Sequence, residues 1–232
     1  MSFGRLYGFH GNSRSTVLLT IAKENNLDIK FVEIEPPQVS PEYLKLNPLG
    51  RVPTFVGSDG FVLTEVMAIA IYLTSQVENT TLLGSGKQDL ASIIRWMSFA
   101  NSEILPKLGG WFRPFIGKDT FNKARVEESK KAALTALRAL EQHLQHRSFL
   151  VGDSLTLADF FTASLVSRGF MYVLDKAWSF ENPNTTRWYK NITSHRSWKA
   201  VVPFSEMIDV ALQYPLIDRE DKPTFAKIAR ST

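Results

Sequence analysis

Cysteine is absent from the 232-residue chain, which excludes disulfides, cysteine-held zinc and a thiol nucleophile of the protein's own. No apolar run approaches the length that a bilayer requires, and the N-terminus, MSFGRLYGFHGNSR, has no signal-peptide core. A cytoplasmic protein with no membrane partner is the expectation. Charge of one sign is also lacking. The 27 basic residues face 23 acidic ones, for a net charge of +4, and the densest pair, Lys130-Lys131, sits in a mixed helix. A nucleic-acid interface needs a concentrated basic stripe, so no nucleic acid is expected, nor is a metal. Apolar residues are plentiful: 44% hydrophobic and 12% aromatic supply a sizeable core for one large domain or two small ones.

The stretch Asn47 to Tyr72, NPLGRVPTFVGSDGFVLTEVMAIAIY, organises the rest. Phe55-Val56, the turn Gly57-Ser58-Asp59-Gly60 and Phe61-Val62-Leu63 predict a hairpin. Thr64-Glu65 heads a helix with Met67, Ala68, Ile71 and Tyr72 on one face. Pro53 starts a strand, where a proline must lie at an edge or hold a special bond. A cis Val52-Pro53 bond would turn the Val52 N–H and C=O outward, ready to pair with a bound peptide. Glu65, in the first turn of the following helix, complements the helix dipole and could take a ligand ammonium.

Ahead of this stretch, Arg5 to Phe9 predicts a strand, broken by His10-Gly11-Asn12. Asn12 or Ser13 can cap a helix carrying Val17, Leu18, Ile21 and Ala22. Ile29 to Ile34 predicts a second strand, ended by Pro36-Pro37, and Pro41 opens a short helix. The order β-α-β-α-β-β-α argues a βαβ unit in a partly parallel sheet.

Thr81 to Lys87 is a short Gly/Ser-containing linker, which divides the chain into domains at 1–80 and 88–232. Beyond it the periods are helical: Leu90, Ile93, Ile94, Met97, Ile104, Leu105 and Leu108 share a spacing, with Pro106 and Gly109-Gly110 ending or bending that helix. Trp111 to Gly117 reads as an aromatic loop, and Asn122 to Arg147 as one long helix. Leu155-Thr156-Leu157-Ala158-Asp159-Phe160 carries a capping box, Thr156 with Asp159, inside a hydrophobic staple. That helix runs on through Tyr172. Two more helices open near Asn184 and Ser197, and the tail after Tyr214 is polar.

NPLGRVPTF…LTEVMAIAIYL, and the chain over most of residues 4 to 210, resembles the glutathione transferase family. The resemblance implies a thioredoxin-like N-terminal domain (α/β) followed by an all-helical C-terminal domain. It implies glutathione as co-substrate, a small hydrophobic electrophile as acceptor, and a homodimer. Glutathione would be held by Arg14, Arg51, Val52, Pro53, Glu65 and Val66. Where the family has a serine hydroxyl after the glutamate, Val66 offers its backbone N–H alone. The family places a donor to the glutathione sulfur in the loop after the first strand, where the candidates are Asn12, then Ser13, then His10.

The other readings of these residues stand beside it. Asn12 and Ser13 can be plain caps, and His10 and Arg51 solvated loop residues. Glu65 can serve only the dipole, and Arg14 can face solvent or a dimer partner. The acceptor pocket would draw on Phe9, His10, Trp111, Phe112, Phe115 and Phe170, which can equally be core or dimer packing. RWMSFANSEILP, RSFLVGDSLTLADF, NPNTTRWYKNI and the pair Asn12/Arg14 resemble, within the family, the transferase-like domain of the gamma subunit of translation elongation factor 1B. That branch implies elongation factor subunits as partners and a scaffold with little or no catalysis. An enzyme is the preferred expectation.

Overall fold

The computed structural model describes residues 2–214 apart from 35, 37 and 38. Pro37 and the tail beyond Tyr214 therefore lie outside the described residues. The N-terminal half is a four-stranded sheet with helices. Strand β1 (Gly4–Gly8) pairs in parallel with β2 (Ile29–Glu33) and antiparallel with β3 (Thr54–Gly57), and β3 pairs antiparallel with β4 (Val62–Thr64), giving the order β2-β1-β3-β4. The register sets Tyr7 opposite Val32 on one side and Thr54 on the other. Helices α1 (Ser13–Glu24) and α2 (Pro41–Leu46) connect strands, and α3 (Val66–Thr74) follows β4. On α1 the expected apolar set, Val17, Leu18, Ile21 and Ala22, is buried. This is the partly parallel sheet with a βαβ unit anticipated from the strand and helix order, and the thioredoxin-like arrangement that the family resemblance implies.

The C-terminal half is built of helices and loops, with no strand among its described residues. Helix α4 (Lys87–Phe99) runs into a π-helical turn, Ala100–Ile104, and on through α5 (Leu105–Phe112). Of the two outcomes expected at Gly109-Gly110, an end or a bend, the helix does not end there: α5 runs through both glycines. A Cβ at residue 110 would collide with Ser129 on α6 (Lys123–His143), so that glycine lets two helices approach closely. Pro106, which has no N–H to give a preceding turn, follows the π-helical turn. The aromatic loop begins later than expected, because Trp111 and Phe112 close α5. Helix α6 ends at His143 rather than Arg147 and continues as a short 3₁₀ turn, Leu144–His146.

Helix α7 (Leu157–Tyr172) is buried from Leu157 through Val166, and again at Gly169 and Phe170, as an all-round apolar helix in a protein centre should be. Its predicted cap is present: Asp159 Oδ2 accepts from Thr156 N at 2.9 Å and from Thr156 Oγ1 at 2.8 Å. The sequence did not reveal the other half of that carboxylate's work. Asp159 Oδ1 also accepts from Leu150 N and from Trp188 Nε1, both at 2.9 Å, tying α9 (Pro183–Thr193) to the start of α7. Between them lies α8 (Lys176–Glu181), capped by Asp175, which buries none of its residues and so leaves no apolar periodicity to read. The short α10 (Arg196–Lys199) is the last helix among the described residues.

The two halves are joined through α1 and the linker. Ser164 Oγ on α7 donates to Ser13 O at 2.6 Å, and Ser197 Oγ on α10 donates to Glu24 at the far end of α1. In the linker, Leu82 is buried and its carbonyl accepts from Leu157 N at 2.8 Å. Among the described residues no helix is long and apolar enough to cross a membrane.

Candidate active site

The segment Arg51–Thr54 is held by a small buried network. Asn47 and Thr54 are buried, as is Tyr43 on α2. The Arg51 carbonyl accepts from Tyr43 OH at 2.6 Å and Asn47 Nδ2 at 2.7 Å, while Thr54 Oγ1 lies 2.9 Å and 3.1 Å from the same two groups. Burial raises the Tyr43 phenol, although its bonds to Thr54 and Asn47 oppose this, so it stays a neutral donor. The network fixes the backbone immediately before Pro53. The Val52-Pro53 bond is cis, Pro53 is buried, and Val52 is half-buried.

Glu65 stands at the N-cap of α3, one residue ahead of the expected first turn, with φ 66° and ψ 115°. A non-glycine residue at positive φ is costly, and such strain collects at functional sites. Glu65 is exposed, so its carboxylate is open to a ligand. Val66, the first residue of α3, is buried, and its backbone N–H belongs to the unpaired first turn that favours an anion.

Arg14, in the first turn of α1, faces the same place. Burial lowers its pKa from the ordinary arginine value; Glu65 opposes this and Arg51 reinforces it. The guanidinium remains charged, in electrostatic reach of both. Its Nε donates to Asn101 Oδ1 at 3.1 Å, and Asn101 belongs to the π-helical turn. Arg51 precedes Val52-Pro53, the Thr54–Thr64 pairing sets Glu65 next to Pro53, and Arg14 is within electrostatic reach of both charges.

Asn12 caps α1. Its Oδ1 accepts from Arg14 N at 2.8 Å and Ser15 N at 3.1 Å. With the oxygen so committed, the Nδ2 amide is the end that has hydrogens to donate, and it sits at the positive end of a 12-residue helix. Ser13 is buried, with its carbonyl bonded to Ser164. His10 is exposed, its ring 5.0 Å from that of Phe31.

Beside this loop opens a cavity of about 330 Å³. Phe9, His10, Gly11 and Ser13 form one wall, Arg168 and Met171 of α7 another, and Trp198 with Val201–Glu206 the outer side. The expected acceptor residues are thereby separated. Phe9 and His10 line the cavity. Phe170 does not: it is fully enclosed and stacks on Tyr189 at 4.1 Å between centroids. Trp111 and Phe112 are also buried, Trp111 under Lys130 and Phe112 against Tyr172. Phe115 is half-buried and neighbours Phe121. Phe170, Trp111 and Phe112 are packing residues, because a helix that faces α6 and α7, or lies at the protein centre, turns its aromatic residues inward. Sequence reasoning missed Arg168, Met171, Asn101 and the Tyr43–Asn47 network. Among the described residues no group of His, Asp and Glu could hold a metal ion.

Comparison with known proteins gives the same frame. Residues 2–75 match the family described as Glutathione S-transferase, N-terminal domain, and residues 93–195 match Glutathione S-transferase, C-terminal domain. The chain is 49% identical over 193 residues to Glutathione S-transferase stcT of Emericella nidulans, covering 83% of this chain and 88% of that one. It is 35% identical over 222 residues to Elongation factor 1-gamma-A of Xenopus laevis, covering 92% of this chain and 50% of the other. The chain thus spans about half the length of that relative. The solved GST-like domain of elongation factor 1-gamma from Saccharomyces cerevisiae superposes with a TM-score of 0.80 at 30% identity, covering 93% of this chain and all of that one.

Proposed function

The chain belongs to the glutathione S-transferase family of enzymes, and we propose on that premise that it binds glutathione beside Val52-Pro53 and activates its thiolate for attack on a small hydrophobic electrophile. The observation that carries this is the charge set beside Pro53: the Thr54–Thr64 pairing sets Glu65 next to Pro53, and Arg14 lies in electrostatic reach of both Glu65 and Arg51. Glutathione brings two carboxylates, an ammonium and a thiol. Glu65 meets the ammonium of the γ-glutamyl end, with the Val66 N–H beside it for that end's carboxylate. Arg14 supplies positive charge to the same carboxylate, and Arg51 reaches the glycine end. Val52 pairs with the cysteinyl backbone.

The sulfur then falls at the head of α1. A thiol of this kind has a pKa near ~8.5 in water. A hydrogen bond from Asn12 Nδ2 and the helix N-terminus both favour the charged form, which is the nucleophile. Ser13 and His10 are the next donors in line. The acceptor enters the cavity against Phe9 and His10. Its wall is mostly apolar, which suits a hydrophobic electrophile. We place the enzyme in the cytoplasm, as a homodimer of chains divided at the linker 81–87.

A second reading, a transferase-like scaffold for elongation factor subunits, is favoured by the 30% identity and full-length superposition on the elongation factor 1-gamma domain. Titration calorimetry with glutathione, paired with turnover of a general electrophile, separates the two. The enzyme reading expects saturable binding at one site per chain and thiol conjugation. Absence of heat and turnover, with elongation factor subunits co-purifying in stoichiometric amount, would establish the scaffold instead.

A further inference from the structure

The loop that carries Asn12 is gripped from the opposite half of the molecule. Gly11 has φ +78°, a left-handed conformation that favours glycine. Its carbonyl oxygen accepts from one side chain twice: from Arg168 Nε at 2.9 Å and from Arg168 Nη2. Arg168 stands on α7, 157 residues further along the chain. Its remaining face is also occupied, with Nη1 2.8 Å from Met171 Sδ and 3.4 Å from Tyr172 OH, and the guanidinium over the Tyr172 ring. A Cβ at residue 11 would run into Arg168 Nη2, so the two-pronged grip needs a glycine at its target. Two residues on, Ser164 Oγ holds the Ser13 carbonyl. Helix α7 therefore clamps the loop on both sides of Asn12.

We infer that Arg168 is a positioning residue for the transfer reaction, an inference that rests on the glutathione reading above. Gly11 is joined directly to Asn12. Fixing the Gly11 carbonyl fixes the peptide plane from which the Asn12 side chain departs, and so the direction in which Nδ2 meets the sulfur. A planar, doubly donating guanidinium does this where a single ammonium would leave the carbonyl free to swing. Hydrogen-bonding catalysis is sensitive to misplacement on the scale of an ångström.

The test uses Arg168→Met and Arg168→Lys in the full chain. Hydrogen exchange at the Asn12 amide, bonded to Phe9 O at 3.2 Å, reads the loop in the free protein. Steady-state kinetics and the pH–rate profile read its consequence. For Arg168→Met the expected results are Asn12 exchange about tenfold faster and kcat about tenfold lower. The KM for glutathione should stay within about twofold, and the acidic limb of the profile should move to higher pH. Arg168→Lys, which keeps the charge and loses the fork, should recover only part of the loss. Unchanged exchange in Arg168→Met overturns the grip. Faster exchange with an unmoved pH profile and only a raised acceptor KM overturns the positioning role and makes Arg168 an acceptor contact. If the unsubstituted protein neither binds glutathione nor turns over, the catalytic reading fails, and the exchange measurement still judges the grip by itself.

Discussion

Arg14 donates its Nε–H to Asn101 Oδ1, 3.1 Å away and 87 residues further along the chain. The first lies at the head of α1 and the second in the π-helical turn between α4 and α5. A π-turn inserts a residue into a helix and re-aims its side chains, which is why such turns recur at functional sites. Here it brings an amide oxygen to a partly desolvated guanidinium, whose other neighbours are Glu65 and Arg51. The helical half thereby orients an arginine of the proposed glutathione site.

Asn101→Ala should loosen that arginine without removing its charge. A hydrogen bond to a charged group contributes about 1.5–3 kcal/mol when fully buried. With Arg14 only half-buried, the expected weakening of glutathione binding is about three- to tenfold. The kcat at saturating glutathione should change less. Calorimetry on the variant reads this directly, and an unchanged Kd would mean that Arg14 needs no support from α4 and α5.

Asn12 combines two tasks that one substitution can separate. Its Oδ1 caps α1, whereas the proposed catalytic group is Nδ2. Asn12→Asp keeps an oxygen for the cap, a change that costs little stability, but it removes the N–H donor and adds negative charge near the sulfur. The melting temperature should therefore hold while the pKa of the bound thiol rises. Activity at neutral pH should fall about tenfold or more. Thiolate absorbance of the glutathione complex against pH is the measurement. An unmoved titration would transfer the role to Ser13 or His10.

Glu65 carries strain that glycine would relieve. At φ 66° and ψ 115° the glutamate costs about 1–3 kcal/mol of backbone energy. Glu65→Gly should raise the melting temperature, by about 2–4 °C for each kcal/mol of strain relieved, while abolishing retention on immobilised glutathione. Glu65→Gln keeps the strain and loses the charge, so it should lose retention with no gain in stability. Retention by Glu65→Gly would remove Glu65 from the site, and the ammonium would need another partner.

How much of this was legible in the sequence follows the range of each signal. The hairpin after Pro53, the caps at Asn12 and Thr156, and the apolar face of α1 are local patterns, and the structure contains them. The succession of strands and helices and the partly parallel sheet were readable from local periods, whereas the spatial order β2-β1-β3-β4 depends on pairings that no local pattern records. The π-helical turn left no trace, since the spacing of Leu90 to Leu108 tolerates one inserted residue. Gly109-Gly110 resembles a helix break, yet Gly110 lies where α6 comes too close for a side chain. Arg168 was invisible for a different reason: no local pattern records a contact across 157 residues. The aromatics Trp111, Phe112 and Phe170 could be named from composition, but whether each faces a cavity or the core depends on helix rotation, which packing decides.

Glu141 on α6 supplies a pH test of the helical half. Its Oε1 accepts from Asn184 N at 3.1 Å and Asn184 Nδ2 at 2.7 Å, and its Oε2 from Thr185 N at 2.7 Å, all at the positive end of α9. Burial alone would raise this carboxyl, but the bonds from Thr185 and Asn184 together outweigh it and hold the pKa below the ordinary glutamate value. A pKa lower in the folded chain than in the unfolded one means that the fold favours the carboxylate. The resulting stability is complete above the unfolded value, about 4.3, and is lost as pH falls through the folded one. Glu141→Gln removes the charge, so the variant should melt below the unsubstituted protein at pH 7. Allowing for solvent screening, a carboxylate at a helix N-terminus is worth about 1 kcal/mol, or roughly 2–4 °C in a chain of this size. The difference should narrow as pH drops below about 4, because both proteins then present an uncharged group to α9. A difference that stays constant between pH 7 and pH 3 would show that the charge on Glu141 contributes nothing, and that α6 holds α9 by neutral hydrogen bonds and packing alone.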